Sequence, residues 1–150
     1  MNKIMIIPFM GIGLFLSACS MLEAQGETLN PRSIIEEKIY MKAKDHDVPY
    51  QLAHSVVKTE SRFVPHVVGK DGTYGLGQIK CGTARGIGFR GDCKKLLDPD
   101  TNLEYTMIYL RKALELSNGN ECYAATLYNR GLMNKPKTST YCRKVLSHYK

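Results

Sequence analysis

Leu103, Met107, Leu110 and Leu114 recur at spacings of four, three and four residues. That period sets all four on one face of an α-helix, a face that must be buried. Asp98-Pro99 ahead of the stripe supplies a cap and a first helical residue, and Asn118-Gly119-Asn120 behind it supplies a stop. Other stripes follow the same rule. Leu52, Ala53, Val56 and Val57 form one, opened by Pro49 and closed by Pro65. Asn30-Pro31 opens a first helix, with Ile34, Ile35, Ile39 and Met41 on its apolar side and the polar run Lys42 to Asp47 at its end. Cys122 to Asn129, capped by Gly131, and Thr140 to Tyr149 read as two more. No strand-like alternation runs for any length. At 150 residues, 43% apolar and 23% charged, the chain reads as one mainly α domain.

Eight of the 13 glycines fall between residues 69 and 91. Glycine opens backbone conformations closed to other residues and lets a ligand approach the main chain. Asp71-Gly72 is a turn signal, and a short helix is expected after Thr83. This is a shaped loop region inside a helical protein.

Glu60 falls four residues after Val56 and eight after Leu52, on the apolar face of the second helix. A carboxylate there is costly unless it is paired or protonated. Burial raises its pKa, which is the condition a general acid needs near neutral pH. A salt bridge to Arg62 or Lys58 is the structural alternative.

The amino-terminal end is different in kind. Lys3 precedes an apolar run from Ile4 to Leu16. Thirteen helical residues reach roughly 20 Å, short of the roughly 30 Å hydrocarbon core of a bilayer. A basic residue, a short apolar stretch and then small residues form the layout of an export signal. The run ends in Leu16-Ser17-Ala18-Cys19, which resembles a bacterial lipobox. The resemblance implies residues 1–18 as signal peptide, acylation of Cys19, residues 19–29 as a polar tether and 30–150 as the folded domain. Ser20 follows the cysteine where inner-membrane retention has Asp, so the outer membrane, facing the periplasm, is the expected location.

Cleavage leaves 132 residues and removes one charge, Lys3, which lowers the net charge from +7 to +6. It also divides the five cysteines into Cys19 and an even set: Cys81, Cys93, Cys122 and Cys142. In an oxidising compartment an even set reads as disulfides. Three connectivities are open. Proximity in sequence favours Cys81–Cys93 and Cys122–Cys142; zinc is the alternative, although no close Cys/His spacing supports it.

Several short motifs then occur in order: Thr59-Glu60-Ser61-Arg62-Phe63, Gly75-Leu76-Gly77-Gln78, Asn102 with Tyr109-Leu110, and Tyr128-Asn129-Arg130-Gly131. Together they resemble the catalytic domain of the soluble lytic transglycosylases, a lysozyme-like, mainly α fold related in shape to goose-type lysozymes. The resemblance runs from about Pro31 to Tyr149. It implies Glu60 as the single acid/base, Gln78 as a sugar-binding amide, Tyr128 with its hydroxyl against the Glu60 carboxyl, and Asn129 shaping the same wall. It implies cleavage between N-acetylmuramic acid and N-acetylglucosamine with a 1,6-anhydro product, and neither metal nor cofactor.

The chain departs from the family at several positions. Gly77 stands where Met is common, which implies a wider or more flexible cleft wall. Gly69 stands where a Ser hydroxyl can meet the substrate's acetamido group. Thr73 and Thr106 replace smaller residues, and Cys81 replaces a Pro. Two-carboxylate hydrolysis needs a second acid. Asp71 and Asp92 are the candidates, and Asp71 reads first as turn chemistry. A lysozyme-like hydrolase and a non-catalytic peptidoglycan-binding envelope protein are the rival readings. The basic charge suits an anionic wall polymer. Dispersed Lys and Arg, with export, argue against nucleic acid. Expected partners are peptidoglycan strands, the membrane through Cys19 and an envelope-spanning secretion or conjugation machine.

Overall fold

The computed structural model describes residues 30–135 and 137–149; the lipobox, Cys19 and the tether lie outside them. Helix α1 spans Pro31–Asp45, and the Asn30 side chain accepts from the Arg32 N–H at its start. Its buried line is Ile35, Ile39 and Ala43. Ile34 and Met41, expected on the apolar side, are 38% and 50% exposed. They lie roughly 100° and 120° around the helix from Ile35, on the flank of the line that packs inward.

Helix α2 spans Tyr50–Ser61. It ends four residues before Pro65, because Arg62 and Phe63 both turn left-handed, with φ of +54° and +67°. Two such residues in a row are uncommon outside glycine. Burial of Phe63 offsets that strain: its ring packs 4.9 Å from that of His54 and lies 4.7 Å beneath the Arg32 guanidinium. Helix α4, Pro99–Leu116, carries the stripe of Leu103, Met107, Leu110 and Leu114, all buried. Truncating one of these to Ala leaves a cavity and costs roughly 2–5 kcal/mol. Helix α5 spans Glu121–Arg130 and α6 spans Thr140–Leu146. The last helix is a turn shorter than its sequence suggests. Beyond it the Tyr149 hydroxyl donates to Glu121 at the start of α5.

Together α1, α2, α4, α5 and α6 surround one large core. A smaller core of Ile79, Ala84, Phe89 and Leu96 supports the glycine-rich segment. Strands β1 (Thr73–Tyr74) and β2 (Ile79–Lys80) pair antiparallel there, with Thr73 opposite Lys80. This hairpin is too short to leave an alternation in the sequence. Helix α3, Cys81–Gly86, follows at once, and a 3-10 helix covers Cys93–Leu97. Disulfides join Cys81 to Cys93 and Cys122 to Cys142. Each closes a short loop, the first bracing α3 and the second tying α6 to α5. All four thiols are consumed, which leaves none of them to ligate zinc.

Candidate active site

Glu60 sits in the last turn of α2, just before the left-handed reversal. Its Oε1 accepts a hydrogen bond from the Tyr141 hydroxyl at 2.5 Å. Among the described residues it forms no ion pair with Arg62 or Lys58. Burial pushes its pKa above the ordinary carboxylate range, while the Tyr141 hydrogen bond and the Lys144 charge pull the other way without cancelling it. The negative end of the α2 dipole also disfavours the charged form. A neutral carboxylic acid with a free proton to give is what a general acid requires.

Glu60 opens into a cavity of about 460 Å³. The other candidates, Gln78, Tyr128 and Asn129, line the same cavity. Helices α2, α4 and α5 contribute to its lining, together with the hairpin and α3. Asp71 also lines it, exposed at the turn. Asp92 does not, since its carboxylate caps the 3-10 helix by accepting from the Lys94 N–H at 2.8 Å.

Two roles differ from expectation. The Tyr128 hydroxyl does not bond to Glu60. It donates to the Gly77 carbonyl at 2.6 Å, and burial followed by the nearby Glu60 charge keeps it protonated. The hydroxyl that reaches the carboxylate is Tyr141, which sequence reading missed. Burial and the Glu60 charge likewise keep that phenol neutral, so it can only donate to an ionised Glu60. The available signal was its place beside Cys142, on a helix pinned to α5 by a disulfide and packed on α2.

Gln78 lines the cavity but its amide is occupied. Both N–H groups go to backbone carbonyls, Val67 at 3.1 Å and Gly75 at 2.9 Å. Its Oε1 accepts from the Thr73 hydroxyl at 2.7 Å. It holds the loop in shape and keeps one acceptor position for a ligand.

The model of the transglycosylase SLT domain matches residues 37–146. The chain belongs to that family. This SLT domain is 32% identical over 111 residues to the peptidoglycan transglycosylase gp16 of Escherichia phage T7, covering 70% of this chain and 8% of that protein. Among solved structures it resembles an inactive mutant of the lytic transglycosylase Slt from Pseudomonas aeruginosa, with a TM-score of 0.64 and 22% identity over 75% of this chain and 22% of that one. It also resembles the 70 kDa soluble lytic transglycosylase of Escherichia coli, with a TM-score of 0.59 and 25% identity over 75% and 18%. The chain thus spans under a quarter of each of these relatives. The fold is lysozyme-like, as in those enzymes.

Within the SLT domain, the odd glycines do not widen the cleft. A Cβ on Gly77 would lie 2.1 Å from the Thr106 Oγ1 and 2.8 Å from the Tyr128 hydroxyl, so the space is already filled. A Cβ on Gly69 would lie 2.2 Å from the Thr73 Oγ1 and 2.6 Å from the Gln78 Oε1. The Thr73 hydroxyl therefore stands where a side chain at 69 would point, and Thr73 lines the cavity. In both places the volume missing at the glycine is carried by a threonine.

Proposed function

We propose that this SLT domain is a lytic transglycosylase of peptidoglycan, with Glu60 as acid and then base. The observation that carries the reading is Glu60 itself: half-buried, raised in pKa, bonded to Tyr141 and open to a cavity that also holds Gln78, Tyr128 and Asn129. Protonated Glu60 gives its proton to the glycosidic oxygen between N-acetylmuramic acid and N-acetylglucosamine. Tyr141 holds the carboxyl in place, and its hydrogen bond stabilises the carboxylate left behind. That carboxylate takes the proton of the muramic 6-hydroxyl as its oxygen attacks the anomeric carbon. One bond breaks, one forms, and the product is a 1,6-anhydro sugar with no water consumed. The acceptor left on Gln78 and the Thr73 hydroxyl are placed to meet sugar hydroxyl or acetamido groups.

Mass spectrometry of fragments released from purified peptidoglycan tests this. Anhydromuramic termini are expected. Fragments heavier by one water would replace transglycosylation with hydrolysis, for which Asp71 in the same cavity is the available second carboxylate. No release at all would mark the domain as a binding module.

The reading extends to place. We infer an envelope lipoprotein, anchored at Cys19 and serving wall turnover or an envelope-spanning machine. Cys19→Ala is expected to abolish acylation and release the protein from membranes. More than one acyl chain is needed for stable anchoring, so the loss is expected to be near complete. A variant that keeps its lipid would remove Cys19 from this role.

A further inference from the structure

Two cations line the cavity without an ion-pair partner among the described residues. Lys80 ends β2, and Arg130 is the last residue of α5. Both are exposed, and neither is in an ion pair among the described residues. Their backbones are held. Lys80 pairs with Thr73 across the hairpin and precedes Cys81, which is bonded to Cys93. Arg130 precedes Gly131, whose φ of +99° ends the helix, and its carbonyl accepts from the Asn134 side chain. The cavity's carboxylates are Glu60, held toward its neutral form, and Asp71. With Glu60 protonated, two positive charges face one negative charge, so the cleft carries a cationic surplus.

The backbone of a glycan strand offers such a surplus hydrogen-bond acceptors but no opposite charge. Its hydroxyl and acetamido groups are neutral. The acidic groups sit on the lactyl ether of muramic acid, as a free carboxylate or as carboxylates of an attached peptide. We propose that Lys80 and Arg130 read that substituent, so that the cleft selects strands by the carboxylate beside the scissile bond. This rests on the transglycosylase reading above and adds a specificity determinant to it. An ammonium and a guanidinium on separate, fixed elements can engage one carboxylate jointly or two in turn.

The test uses two strand preparations, one bearing peptides and one stripped to the lactyl carboxylate. Each is compared with a form whose carboxylates are converted to neutral amides. Amidation is expected to lower kcat/KM of the parent roughly three- to tenfold, the range of one or two exposed ion pairs. Loss on stripped strands assigns the lactyl carboxylate; loss on peptide-bearing strands alone assigns the peptide. The Lys80→Gln, Arg130→Gln double variant is expected to cleave native and amidated strands at one equal, lowered rate. Circular dichroism of the double variant checks that the exposed substitutions leave the fold intact. Equal parent rates on native and amidated strands of both kinds would overturn the proposal, as would a double variant that keeps the parent's discrimination. Co-sedimentation of Glu60→Gln protein with insoluble native and amidated wall supplies a readout without cleavage. Preferential binding to native wall by an inactive parent would sink the transglycosylase reading and keep the carboxylate preference. Equal binding to both would sink the preference.

Discussion

Glu60→Gln is expected to lower strand cleavage about 10³-fold or more while the protein stays folded, because both proton transfers pass through this one side chain. The amide keeps the shape of the acid but has no proton to give at the pH of the reaction. Its effect on stability is expected to be small and of defined sign. In the fold the Glu60 pKa is raised, chiefly by burial. The folded state therefore favours the neutral form, and that contribution is fully present below the ordinary carboxylate pKa and is lost as pH rises through the raised value. Glutamine is neutral throughout. Above that window Glu60→Gln is expected to melt at or above the temperature of the parent. Activity follows the same titration: kcat falls as pH climbs through the Glu60 value, on a limb above the usual carboxylate range. Tyr141→Phe removes a hydrogen bond that lowers this pKa. It is expected to reduce kcat and to move that limb to higher pH. A merely structural Tyr141 would reduce the rate with the limb unmoved. Retained cleavage by Glu60→Gln would end the assignment of Glu60.

What the sequence made legible follows the range of the interactions involved. The α4 stripe is local, repeats at the helical period and is buried as read. Glu60 stood out for the same reason, as a carboxylate at an apolar register. Its partner did not, since Tyr141 lies 81 residues away. Tyr128 was the nearer inference because it sits in the Tyr-Asn-x-Gly motif, yet its hydroxyl is drawn to a backbone carbonyl that has no side chain in the way. Gln78 shows a related limit. A glutamine in a motif reads as a ligand-binding amide, but here the Val67 and Gly75 carbonyls, each already accepting one backbone N–H, take both of its donors as well. The end of α2 was misplaced because Pro65 is a visible breaker, whereas the reversal at Arg62 and Phe63 depends on burying the Phe63 ring in the core.

Gly77→Met, which restores the residue common at this place in the family, is expected to destabilise this chain by about 2–3 kcal/mol, the upper range for overpacking a filled core. The reason is space, since the backbone at Gly77 lies outside the left-handed region that favours glycine. A Cβ there would meet Thr106 Oγ1 at 2.1 Å, Thr106 Cγ2 at 2.7 Å and the Tyr128 hydroxyl at 2.8 Å. Neither neighbour can yield freely. The Thr106 hydroxyl donates to the Asn102 Oδ1 at 3.3 Å, and Asn102 also accepts from the Gly77 N–H at 2.8 Å. The Asn102 amide donates to the Tyr74 and Leu96 carbonyls, so this buried residue joins α4 to the loop with every polar group engaged. Displacing Thr106 or Tyr128 disturbs that set, and a buried group left unpaired costs about 1–3 kcal/mol. For the whole substitution the thermal midpoint is expected to fall by on the order of 10 °C. Thr106→Gly alone is also expected to destabilise, by about 0.3 kcal/mol of helix propensity with the larger cost of a void added. The two together should fit, because the methionine side chain enters the space the threonine vacates. The double variant is therefore expected to be more stable than the sum of the singles by about 1–3 kcal/mol, a coupling that a double-mutant cycle in denaturant measures directly. Additive effects would mean that Gly77 and Thr106 do not compensate each other. A large coupling would identify the glycine as one half of an exchange that keeps the Gly77 carbonyl on Tyr128 and the cleft wall closed.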